Sequence, residues 1–146
     1  MRTFGPSLAA IVVGLIALSV SSAAFAQIAE TYKVRLTTVP VDASMLATVA
    51  GSGSLTAVLS GNKLTVSGNF AGLRSPATEV HIHRGPKGIR GPAILDLAVS
   101  KGTSGTVSGS IALSPEQIDD LRNSRLYVQI NSERAPEGNL WGWLLR

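Results

Sequence analysis

The chain has 146 residues, 13 Lys and Arg against 9 Asp and Glu, a formal net charge of +4 and no cysteine. That length suits a single domain able to bury about two thirds of its unfolded surface without help. The absence of cysteine excludes a small disulfide-stapled scaffold and a lipoprotein anchor, and so modest a charge does not argue for a nucleic-acid partner.

In chain order, residues 1–26 read as a cleaved signal peptide. Arg2 supplies a positive n-region, Leu8 to Val20 an apolar h-region, and Ala24-Phe25-Ala26 an A-x-A cleavage site that leaves Gln27 as the mature N-terminus. The apolar run is shorter than the roughly 20 residues of a membrane span, so no span is expected after cleavage. Without Arg2 the remainder, residues 27–146, holds 12 basic and 9 acidic side chains, a net charge of +3. It is expected to form one domain, periplasmic or secreted.

Period-two alternation dominates that remainder. Strands are expected at 31–39, where Tyr32, Val34 and Leu36 share a face, and at 47–60, where Leu55, Ala57 and Leu59 do. Gly61-Asn62 is a hairpin turn leading into a strand from Lys63 to Phe70. Further strands are expected at Ala77–His83, Pro92–Val99, Gly105–Leu113, Leu126–Asn131 and Leu140–Leu145. One helix interrupts them. Ser114 is its N-cap, Pro115 occupies the first helical position, Gln117 closes a capping box, and the helix ends near Arg122-Asn123. About eight short strands with one short helix describe an antiparallel, Greek-key-like sandwich or barrel.

The stretch from Glu79 to Ile94, EVHIHRGPKGIRGPAI, carries both histidines. Alternation turns Val80 and Ile82 inward and Glu79, His81 and His83 outward, with the two imidazoles about 6.5 Å apart along the strand. An H-x-H pair of this kind can share a copper or zinc ion, but needs a third ligand from a neighbouring strand. The polar face of the Leu126–Asn131 strand offers Tyr127, Gln129 and Asn131, and amides are poor ligands for those metals. The other reading makes the histidines neutral, hydrogen-bonded organisers of the loop that follows. In that loop the triplets beginning at Gly85, Gly88 and Gly91 stop too soon for collagen, and Arg84, Lys87 and Arg90 form a local cationic cluster. Trp141 and Trp143 share one strand face and read either as a platform for a sugar, lipid or protein, or as packing. Catalytic signatures are missing: there is no G-x-S-x-G elbow, and the one adjacent carboxylate pair, Asp119-Asp120, falls on the helix, where solvation is expected.

Three motifs in order, VHIHRGPKGIRGPAILDL, GSIALSPEQIDDL and LYVQINSERAPEGNLWGWL, resemble the CHRD domain, named for chordin, from about Tyr32 to Leu145. The resemblance implies an all-β sandwich like that of immunoglobulins or superoxide dismutase, and no known reaction. Where that family's last motif tends to carry histidine, this chain has Asn131, beside Gln129. Together these readings lead to an exported, non-catalytic binding module with an envelope protein or glycan as partner. The alternative is a copper- or zinc-binding protein using His81, His83 and Asn131.

Overall fold

A computed structural model describes Gly5 and residues 28–146; apart from Gly5, the expected signal peptide lies outside the described residues. Eight strands and one helix follow in the order β1 (Glu30–Thr38), β2 (Ser52–Ser60), β3 (Lys63–Ala71), β4 (Ala77–Arg84), β5 (Ala93–Val99), β6 (Gly105–Ala112), α1 (Pro115–Arg122), β7 (Leu126–Ser132) and β8 (Ala135–Trp143). All pairings are antiparallel, and the strands close into a barrel in the order β1-β2-β3-β6-β5-β4-β7-β8. The alternating pattern specified one buried face per strand, and β1, β2, β3 and β4 have one; β5 is only partly buried against the core, and β7 and β8 are buried on both faces. The sandwich expected from the family resemblance is corrected to a closed barrel. Long ladders build two halves, β1-β2-β3-β6 and β5-β4-β7-β8. Two shorter seams then join them, at Ala98↔Ser108 and Val99↔Val107 on one side and at Thr37↔Trp141 and Thr38↔Leu140 on the other. A bridge between Lys33 and Leu145 extends the second seam. Closure gives every strand a neighbour on both sides, which an open sandwich cannot achieve.

The connectivity retains a Greek key: β4, β5 and β6 are consecutive neighbours, and β7 returns to lie beside β4. Helix α1 sits in that return. Ser114 Oγ accepts from the Gln117 N–H and the Gln117 side chain accepts from the Ser114 N–H, so the expected capping box is formed. Its Leu121 is fully buried against the barrel interior. Asp120 departs from expectation. It is buried rather than solvated, and Arg84 Nε of β4 lies 2.9 Å from its Oδ2 as an ion pair without hydrogen-bond alignment. Arg84 also bridges to Glu116 at 2.9 Å, which ties β4 to the helix.

The interior is filled by Val34, Leu36, Leu55, Leu59, Leu64, Val66, Val80, Ile82, Leu126, Val128, Ile130, Leu140 and Leu144, inward residues of six of the strands together with Leu144, which follows β8. Serine, threonine, lysine and arginine face outward from β1, β2, β3 and β6. A barrel apolar inside and polar outside is the reverse of one built to face lipid. No helix among the described residues is long and apolar enough to cross a membrane.

Two boundaries moved by more than two residues. The strand expected at 47–60 begins at Ser52, because Asp42 Oδ1 accepts from the Ser44 and Met45 N–H groups and winds 42–48 into turns. The last strand starts at Ala135 rather than Leu140, after an irregularity in its pairing with β7 between Ile130 and Ser132. The turn-forming Pro136 and Gly138 hid that start.

Candidate functional site

Strand β4 lies between β5 and β7 and turns its side chains as the alternation requires. Val80 and Ile82 are buried inside the barrel, and Glu79, His81 and His83 point outward. The register sets His81 between Asp96 of β5 and Gln129 of β7, and sets His83 across from Tyr127. His81 Nδ1 is 2.8 Å from Asp96 and Nε2 is 3.1 Å from Glu79. An imidazole with a carboxylate at each nitrogen is served best as the doubly protonated cation. Burial works against that charge, but the hydrogen bonds and the attraction of Glu79 and Asp96 outweigh it and raise the pKa above the ordinary 6.5.

His83 has the opposite environment. Burial lowers its pKa below 6.5, and the neighbouring His81 and Arg90 charges add to that, against a hydrogen bond to Gly91. Its Nδ1 is 2.9 Å from the Gly91 carbonyl, which can only accept, so Nδ1 carries the proton and Nε2 holds a lone pair. That Nε2 is buried without a hydrogen-bond partner. The ring stacks on Tyr127 with centroids 4.9 Å apart. Tyr127 in turn donates to the Gly91 carbonyl and accepts from the Gly91 N–H at 2.9 Å. Gly91 can approach this closely because an added Cβ would fall on the Arg84 carbonyl. His83 and Gly91 therefore help organise the 85–91 loop, as one of the sequence readings held for both histidines, whereas His81 contacts Glu79 and Asp96 and not the loop.

The aromatic contacts continue across β7 and β8. Tyr127 lies 4.6 Å from Trp143, and Trp143 lies 4.8 Å from Trp141. Trp143 Nε1 donates to the Gly85 carbonyl at 2.9 Å, fastening the start of the loop. On the far side Val39, Met45 and Val49 from the turn after β1 pack over Trp141 and Tyr127. The outer face of this half of the barrel thus has a small second core of its own. Alternation along β7 could not reveal it, since it is made by segments distant in sequence.

The remaining expected site residues scatter around this core. Trp141 is only 8% exposed, so its indole serves packing more than display, while Trp143 is partly exposed. Gln129 is buried and donates to Asn131 Oδ1 and the Glu137 carbonyl. Asn131 faces Glu79 across the ladder rather than the pair of histidines. Arg90 donates to the Glu137 carbonyl, and Arg84 is committed to helix α1. Lys87 is exposed and, with Arg35 of β1, flanks a shallow groove of about 310 Å³ floored by Trp141, Gly142 and Trp143. Neither cation has a hydrogen-bond or ion-pair partner among the described residues. Asp96 and Arg35 were not anticipated as site residues, because each enters through strand pairing that the local pattern does not encode.

Residues 32–144 match the CHRD domain. The chain belongs to the CHRD family. The match spans the barrel from β1 to beyond the end of β8, as the three motifs in the sequence implied. No curated protein and no solved structure matches the chain. Among the described residues of this CHRD domain, no group of three or more His, Asp or Glu is placed to hold a metal ion.

Proposed function

We propose that this CHRD protein is an exported, non-catalytic binding module of the cell envelope, acting through the outer face of β4, β7 and β8 and the adjoining edge of β1. The observation that carries the reading is the groove at Trp143, where aromatic surface meets two cations without partners among the described residues. Recognition surfaces combine rigid aromatic area with accessible charge, and this groove offers both. The A-x-A site after the apolar N-terminal run supports export.

The chemistry of the histidines favours this over a copper or zinc site. Both nitrogens of His81 are engaged by carboxylates, and Nδ1 of His83 is engaged by Gly91. Only His83 Nε2 offers a free lone pair, so binding a metal through both rings would require breaking the contacts of His81. The test has three parts. Mass spectrometry of the protein recovered from the envelope should give an N-terminus at Gln27. Tryptophan emission should change on titration with envelope fractions. Copper and zinc contents of the wild type and of His81→Ala/His83→Ala should be equal; metal in the wild type alone would replace the binding-module reading with the metal one.

A further inference from the structure

We propose that the groove over the β1/β8 seam binds a carboxylated sugar, the uronate unit of an acidic polysaccharide. This rests on the binding-module reading and assigns its ligand class. The register that pairs Thr37 with Trp141 and Lys33 with Leu145 sets Arg35 across from Trp143 on the outer face. Lys87 reaches the same groove from the tip of the 85–91 loop. An anion is indicated because Arg35 and Lys87 lack carboxylate partners among the described residues, although Glu30, Glu116 and Asp120 neutralise the arginines nearer the helix. A ring is indicated because the floor is indole, held edge to face by its neighbour and fixed through Nε1 to Gly85, so its geometry is set before any ligand arrives. The apolar C–H face of a pyranose lies well on such a surface, while its carboxylate meets a guanidinium and an ammonium. The volume of about 310 Å³ sits at the lower limit of small-ligand sites, room for about one or two sugar rings. An acidic peptide fits less well. Peptides commonly engage sheets by adding a strand, and at this seam β1 and β8 already pair with each other.

The experiment titrates the protein with trigalacturonate while following tryptophan emission and calorimetric heat. Parallel titrations use the fully methyl-esterified trimer, triglutamate and the variant Arg35→Glu/Lys87→Glu. Both substituted residues are exposed, and circular dichroism of the variant is to be recorded first to check that it folds. Trigalacturonate should bind the wild type and weaken as salt is raised. Charge reversal or esterification should lower affinity by about tenfold or more, the loss of at least one charge-assisted contact. Absence of trigalacturonate binding, equal affinity of the variant or of the ester, or triglutamate binding as tightly as the sugar would overturn the assignment. If envelope fractions still shift the emission while trigalacturonate does not, the ligand class falls and the binding module stands. Silence towards both removes both.

Discussion

Two imidazoles two residues apart on one strand have environments that drive them in opposite directions. His81 is flanked by Glu79 and Asp96, and His83 is sealed against Tyr127 with its Nδ1 on a carbonyl. Their proton NMR titrations should therefore separate, His81 above 6.5 and His83 below it; coincident midpoints would remove the carboxylate clamp. The sign of the stability effect follows. Because folding raises the pKa of His81, its contribution is complete below the unfolded value of about 6.5 and is lost as pH rises through the folded one. His81→Asn should accordingly cost more stability near about pH 5.5 than near about pH 9, measured by urea denaturation at both values. His83 contributes in the opposite sense, fully above about 6.5 and less as pH falls through its lowered folded pKa. That His81 and His83 point outward was legible in V-H-I-H, since alternation is a local rule. Tyr127 and Gln129 were also offered as their neighbours and do lie across from them, but Asp96 was not, because it arrives 15 residues later through another strand.

Among the elements, α1 and the 85–91 loop are secured by different means. The helix announced itself through Ser114, Pro115 and Gln117, all of which act within one turn. Its attachment to β4 through Asp120 could not be read, because a buried carboxylate on a short helix looks like a solvated one until its partner is known. Arg84→Ala would strand that carboxylate, and we expect a loss of about 1–3 kcal/mol, reduced from the fully buried case by the partial exposure of Arg84. A double-mutant cycle with Asp120→Ala should recover part of the loss as coupling energy. In the loop, Gly91→Ala forces a Cβ onto the Arg84 carbonyl, displacing the group on which His83 and Tyr127 converge. Destabilisation of about 1–3 kcal/mol is expected, with a change in indole emission as Gly85 shifts from Trp143. An unchanged denaturation midpoint and spectrum would show that the loop is not fastened there.

At the scale of the whole molecule, the seams decide the architecture. Alternation assigned inward faces without stating whether the first and last strands meet, so it left sandwich and barrel both open; the sandwich came from the family resemblance, and the outcome is a closed barrel. Gly142 marks the meeting point: a Cβ there would run into the Arg35 carbonyl, so β1 and β8 can come together only if this position is bare. Gly142→Ala should cost about 1–3 kcal/mol and lower the thermal midpoint by several degrees, read by circular dichroism. Joining β1 to β8 also has a temporal consequence. Synthesis proceeds from the amino end, and the strand that completes the cylinder is the final one. Until Trp141 and Leu140 are available to Thr37 and Thr38, the nascent polypeptide lacks the second neighbour of its opening strand. On the proposal of export, a polypeptide that has to stay threadable in a translocon would gain that delay from its topology alone.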